Sequence, residues 1–435
     1  QMNSFQIKNN TILNLFLRNK ILVKYISVSY LSIPVSLVTG FLAFRKIDPY
    51  LMGIWTAFSV LETYATFMRL GVINGMNREL PFALGEGDRE KAIKLASTTL
   101  GYTLVNILFL IICTPFLLSQ FNLTTHHIAT SLIVVLRISL SFYITFLSGT
   151  FRSEDSFNKL SNIHGIVILM KLLFCPLIYF GFYGFLLYEI IAVVTNTILL
   201  HKYRPIIVRP QFHKKEFFHL LKIGFPVFIV SSAISYVDTI PKLYLIKYSV
   251  PETIGIYAPV AMLLSVVAIL PNSLSAYMYP KFSFHLGQAK EANDIWNKLL
   301  KIYLASFIFI GILSLIVYFF IDYFAYFFPK YKNSLPYLKH ALLICPFVFF
   351  RLGNMLNVLL KNYRFMLYFS LFYGIIQIIS IYIISRVETD LIFVIIYSQV
   401  ITSLLVLLFG IFLNRVLIST EIRKLNSSLN HLDKF

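Results

Sequence analysis

The stretch LGVINGMNRELPFALGEGDREKA, Leu70 to Ala92, lies between two long apolar runs and sets the reading of the whole chain. Its charges are Arg78, Arg89 and Lys91 against Glu79, Glu86, Asp88 and Glu90. Gly71, Gly75, Pro81, Gly85 and Gly87 punctuate it as turns and helix ends. A second copy begins about two hundred residues later: Phe82-Ala83-Leu84-Gly85 is echoed by Phe284-His285-Leu286-Gly287. Arg78 before the first copy has a counterpart in Lys281, and a charged run then a long apolar helix follows each. The chain therefore reads as two similar halves, each with a charged cytosolic hinge at the same place.

Composition fixes the solvent. The chain has 435 residues, 58% hydrophobic and 13% charged, with mean hydropathy +0.76. Soluble domains carry roughly 25% charge, so this sequence cannot cover a water-facing surface and reads as a polytopic membrane protein. The net charge of +19 is spread over many short loops rather than one soluble basic face, which argues against nucleic acid as a partner. Cys113, Cys175 and Cys345 lie apart in apolar runs, so neither a disulfide framework nor a thiolate metal site is expected. His126 and His127 complete no metal spacing. Without a GxxxxGK[ST] loop, ATP hydrolysis is not expected, and no cofactor is.

About twelve apolar segments approach the roughly 20 residues that a helix needs to cross a bilayer. They run over 21–44, 50–70, 93–118, 128–150, 162–180, 182–203, 219–246, 253–280, 297–325, 335–359, 364–386 and 390–414. With a cytosolic N-terminus, the loops on the cytosolic side hold 25 Lys and Arg and the outer loops 7. That asymmetry fits an even number of crossings, both termini cytosolic. The expected organisation is an N-terminal six-helix lobe over 1–203, a basic linker over 204–218, a C-terminal six-helix lobe over 219–415 and a cytosolic tail over 416–435. The linker also suits anionic headgroups.

Six bases and three acids fall inside the apolar runs. A basic side chain at mid-bilayer costs at least roughly 2.5–3.5 kcal/mol, so it faces a partner or a wet cavity. Arg137 and Lys171 lie near mid-depth of their segments, with Lys242 and Arg351 somewhat off centre. Lys24 and Arg69 lie near cytosolic ends, where snorkelling is the alternative. The acids are Glu62, Glu189 and Asp238. Asp238 and Lys242, four apart, share one helical face, as a closed pair or as one opened by substrate or proton. Glu62 is the best placed to bind a coupling cation; a neutral buried carboxyl is the alternative. Pro34, Gly40, Gly224, Pro226 and Pro241 break the helices that open each half, which points to a transport site or to ordinary kinking.

At these residues the chain resembles a known family. Leu70 to Ala92, LLKIGFPVFI (Leu220 to Ile229), and GIYAPVAMLL with its continuation LPNSLSAYMYPKFS (Gly255 to Ser283) are similar to the Wzx-type O-antigen flippases of the multidrug/oligosaccharidyl-lipid/polysaccharide exporter (MOP) superfamily. The resemblance implies an all-α fold, two pseudo-symmetric six-helix lobes around a central cavity. It implies flipping of undecaprenyl-pyrophosphate-linked oligosaccharide, an O-antigen or capsule repeat unit for polysaccharide or lipopolysaccharide biosynthesis, from the inner to the outer leaflet of a bacterial cytoplasmic membrane. Alternating access would rock the lobes about 71–92 and 281–296. The substrate-binding candidates are Arg137, Lys171, Lys242, Arg351 and Lys24, where Arg suits bidentate phosphate contact; Glu62 and Asp238 are the coupling or gating candidates. These are assigned by depth and charge, not by a family motif. Membrane lipids, a polysaccharide polymerase and a chain-length regulator are the implied partners of a monomer. The two extra helices usual in the lipid II flippases are not found. A cation-coupled drug antiporter of the same superfamily is the alternative, disfavoured by six bases against three acids. An enzyme of polymerase or ligase type is not expected, since no outer loop is large enough.

Overall fold

The structure is a computed structural model and describes residues 20–119, 124–287, 292–354 and 363–432. Among the described residues every regular element is helical. Among the described residues, eight helical stretches are long and apolar enough to cross a membrane, and each expected span falls wholly or partly on helix. The chain is an all-α polytopic membrane protein whose residues divide into two compact units. Unit 1 holds Gln1–Ile47 and Leu61–Phe228; unit 2 holds Asp48–Val60 and Ile229–Phe435.

Unit 1 begins with α1 (Lys20–Lys46) and receives the end of α2 (Pro49–Ala65). Pro49 at the start of α2 uses a position whose N–H would have no helical partner. A 3-10 turn over Thr66–Arg69 leads to Leu70 and Gly71, both left-handed, with φ of 46° and 83°. There the expected hinge turns out to be helical. Val72–Gly85 forms α3, with Val72, Ile73, Met76, Leu80 and Ala83 buried on one face at helical spacing, while Arg78 points out. Arg78 lies on the opposite, solvated face, while Glu79 is shielded beside it and accepts from His219 at 3.2 Å, so a segment that looks like a loop by composition is an amphipathic helix. Its counterpart around 281–296 lies partly outside the described residues.

Four further helices follow in unit 1: α4 (Arg89–Ser119), α5 (Thr125–Ser153), α6 (Phe157–Phe174) and α7 (Gly181–Lys202). Asp88 caps α4 by accepting the Lys91 N–H at 2.9 Å. Next, α8 (Lys214–Val237) starts in unit 1. An added Cβ on Gly71 would lie 2.5 Å from the Gly224 carbonyl oxygen, and one on Gly75 would lie 2.3 Å from that of Leu220. The backbones of α3 and α8 thus touch, and only glycine permits it. The basic connection before α8 is also fixed to unit 1. Gln211 N–H donates to Ser97 O at 3.2 Å, and a Cβ on Gly101 would lie 2.6 Å from Gln211 O. Val72, Met76, Leu80, Leu95, Phe146 and Phe151 form the core beneath these contacts.

Unit 2 continues through α9 (Ile240–Tyr248), α10 (Pro251–Gly287), α11 (Ala292–Phe320), the short α12 (Tyr323–Phe327) and α13 (Leu335–Ala341), α14 (Tyr363–Ile384) and α15 (Leu391–Leu432). Its core gathers Tyr257, Val260, Phe369, Ile395, Ile396 and Val406. The first turns of α2 pack here against α10. Pro49 and Gly53 recur as Pro251 and Gly255, 202 residues on, the offset that also relates Phe82 to Phe284. The contact is reciprocal: a Cβ on Gly53 would lie 1.7 Å from Pro251 O, and one on Gly255 would lie 1.7 Å from Pro49 O. Equivalent pieces of the two sequence halves therefore cross backbone to backbone.

Candidate functional site

Arg137 lies in the middle of α5, and α2 and α7 bring an acid to each side of it. Its guanidinium donates to Glu189 Oε2 at 2.6 Å and to Glu62 Oε2 at 3.3 Å. The three side chains are 20%, 25% and 35% exposed for Arg137, Glu189 and Glu62, so the group is shielded without being sealed from water. Two carboxylates share one guanidinium, which leaves one negative charge in excess when all three are ionised. A second cation reaches α5 about one turn further on but is used otherwise. Arg69 donates to Ser141 Oγ at 3.4 Å and lies over the Phe142 ring at 4.8 Å.

The remaining candidates in unit 1 stand apart from this cluster. Lys24 Nζ donates to Asn158 and Asn162 Oδ1, one helical turn apart on α6. Lys171 is half-buried in the last turn of α6. Of the five sequence-expected phosphate ligands, Arg137 is thus the one here that already faces carboxylates.

Unit 2 holds the second cluster. Asp238, in the turn between α8 and α9, and Lys242, one helical turn on, line one cavity of about 300 Å³ with Tyr257, Tyr373, Gln377 and Gln399. Tyr373 donates its hydroxyl to Asp238 Oδ1 at 2.8 Å. Tyr257, buried on α10, donates to Gln399 Oε1 at 3.4 Å, and Gln377 donates to Ser398 Oγ at 3.2 Å. One ammonium, one carboxylate, two phenols and two amides form a surface rich in both donors and acceptors, on helices that are otherwise apolar. Arg351 lies in a 3-10 stretch over Cys345–Asn354, and its side chain is outside the described residues.

The sequence reading paired Asp238 with Lys242 and singled out Glu62. It gave no role to Glu189 and missed Tyr257, Tyr373, Gln377 and Gln399. The amides carried a usable signal. Gln377 in IIQIIS and Gln399 in YSQVIT interrupt apolar helices, and a buried amide costs free energy unless it is hydrogen-bonded. Which helices face each other decides the partners, and that is not written locally.

No protein-family model and no curated sequence matches the chain. Solved structures do. A multidrug resistance MATE family transporter of the MOP superfamily in its inward-facing conformation is 15% identical, with a TM-score of 0.73 over 92% of this chain and 99% of that one. The outward-facing conformation of a multidrug resistance MATE family transporter is 15% identical, with a TM-score of 0.57 over 92% and 94%. A MATE in complex with MaL6 is 16% identical, with a TM-score of 0.61 over 92% and 95%. At these identities the likeness concerns fold alone. The chain has the fold seen in these MATE transporters.

Proposed function

We propose that this membrane transporter is a flippase for undecaprenyl-pyrophosphate-linked oligosaccharide, working by alternating access in a bacterial cytoplasmic membrane with both termini cytosolic. The observation that carries the reading is the unit 2 cavity. Lys242 suits a phosphate oxygen, while the Tyr and Gln side chains suit the hydroxyls of a sugar. The excess of bases over acids in the apolar runs supports it. Lys24, Lys171 and Arg351 are the further phosphate ligands of this reading, and a polysaccharide polymerase with its chain-length regulator is its partner.

Arg137 takes a conditional part. Paired with two carboxylates it has little to offer a pyrophosphate. Uptake of a proton by Glu62 or Glu189 removes one competing charge and frees guanidinium donors for phosphate oxygens. Glu62 is then the coupling residue, and Asp238 plays the same part toward Lys242. No ATP enters this scheme.

A second reading, a cation-coupled drug antiporter, is favoured by the likeness to multidrug resistance MATE transporters and by the acid excess around Arg137. A leaflet assay separates the two. In cells depleted of the protein, the flippase reading expects lipid-linked oligosaccharide to accumulate on the cytosolic face, reversed by wild type and not by Lys242→Ala. Precursor completed on the outer face in depleted cells would sink the flippase. Raised drug sensitivity with unchanged surface polysaccharide would establish the antiporter in its place.

A further inference from the structure

Unit 1 carries a groove that the transport reading does not use. Helices α4 and α5 enclose a cavity of about 640 Å³ lined by Leu104 and Ile111 from one and by Leu132, Leu136, Ser139 and Tyr143 from the other. Its walls are almost wholly aliphatic, and its polar groups are unevenly served. Thr114 donates its hydroxyl to Leu110 O at 2.7 Å. Ser139, on the groove wall and 6% exposed, has a buried hydroxyl with no hydrogen-bond partner. Such groups are rare in folded chains because a lost hydrogen bond is not repaid by water.

One end of the groove is polar and cationic. Tyr143 meets His201 Nδ1 at 2.6 Å, and the Arg204 guanidinium lies against the same imidazole. Lys202 stands beside them at the exposed end of α7. Depth along α5 sets the spacing. Ser139 lies one turn from Tyr143, about 6 Å along the axis, and Leu132 lies 11 residues from Tyr143, about 16 Å. Half of a bilayer's hydrocarbon core is about 15 Å. From Ser139 to Leu132 the groove runs 7 residues, about 10 Å, so below the ester level it takes the upper two thirds of one leaflet's hydrocarbon.

We propose that this groove is a binding site for an anionic glycerophospholipid. Its phosphate meets Arg204 and the Tyr143 hydroxyl, an ester carbonyl accepts the Ser139 hydroxyl one turn deeper, and one acyl chain lies along α4 and α5 as far as Leu132. Three parts of the lipid thus match three parts of the groove in the same order and at the same depths. Anionic headgroups are drawn to Lys and Arg at the membrane surface, and the guanidinium adds directional donors. A polyprenyl phosphate has the anion but no ester carbonyl for Ser139. Inorganic phosphate has neither chain nor ester.

The test uses the full chain purified in detergent, with binding read by native mass spectrometry and by the melting temperature. The probes are diester phosphatidylglycerol, its diether analogue, phosphatidylcholine with the same chains, a polyprenyl phosphate and inorganic phosphate. Diester phosphatidylglycerol is expected to bind and to raise the melting temperature, phosphatidylcholine to do so far less. The diester should bind about threefold or more tighter than the diether, the worth of one hydrogen bond. Ser139→Ala should erase that ester preference, and Arg204→Gln should weaken phosphatidylglycerol more than phosphatidylcholine, whose choline already offsets the phosphate charge. Arg204 lies outside both cores, so loss of the fold is not expected, and elution as a single species checks it. Equal binding of the two headgroups, an ester preference that survives Ser139→Ala, tighter binding of the polyprenyl phosphate, or a full shift from inorganic phosphate alone would each overturn the assignment. Because the readout is binding, failure here leaves the flippase reading untouched.

Discussion

Replacing Arg137 by Met keeps the length and removes the charge shared by Glu62 and Glu189. Two charge-assisted contacts, at 2.6 and 3.3 Å, are lost, and two carboxylates are left facing one another. Breaking a fully buried ion pair from one side costs about 3–5 kcal/mol. Here the acids keep a quarter to a third of their exposure, which screens the remaining charge and brings the expected cost to about 2–3 kcal/mol. The triple variant Arg137→Met/Glu62→Gln/Glu189→Gln removes the unbalanced charge together with the guanidinium and should recover most of that loss. The assay is thermal unfolding of the solubilised full chain, followed by the loss of its monodisperse elution peak. A triple variant no more stable than the single one would refute the charge argument and leave Arg137 as a packing residue.

Other outcomes follow from the backbone contacts. Gly53→Ala and Gly255→Ala each place a Cβ 1.7 Å from a carbonyl oxygen and should each cost about 3 kcal/mol by overpacking, read as loss of folded protein on size-exclusion. Gly224→Ala, 1.9 Å from Gly71 O, should behave alike in unit 1. Gly311→Ala is the control: its Cβ meets nothing within 4 Å on a helix, so it should stabilise by about 0.5–1 kcal/mol in the same melting assay. Tyr102→Phe and Asn106→Leu each remove a donor from the Met68 carbonyl, at 2.7 and 2.9 Å. Each should cost about 1 kcal/mol, with more than additive loss in the double variant, since only that one leaves the carbonyl without either donor.

How far the sequence reached depends on the range of the interaction behind each feature. Gln211 and Gly101 show the limit. The connection before α8 reads as a basic linker by composition, yet it is pinned to α4 through a glycine whose role is invisible until the two segments meet. Glu189 shows it again. It stands 52 residues from Arg137, and Glu62 stands 75 away, so no local period joins the three. Arg137 was read as a cavity cation because depth and charge are local properties, whereas its neutralising partners are not.

Mean hydropathy, segment length and the Lys and Arg bias fixed a helical membrane protein in two similar halves, because transfer of an apolar run into hydrocarbon depends on that run alone. The echo of Phe82–Gly85 in Phe284–Gly287 was likewise written in the chain. Only the tertiary structure turned Val72–Gly85, the middle of the Leu70–Ala92 stretch, into an amphipathic helix held by glycine contacts, gave Arg137 its two carboxylates, and gathered Tyr257, Tyr373, Gln377 and Gln399 around Lys242. Each of these depends on which helices lie side by side, and in a nearly uniform apolar sequence that choice rests on backbone approach at a few glycines and on the pairing of a few polar groups.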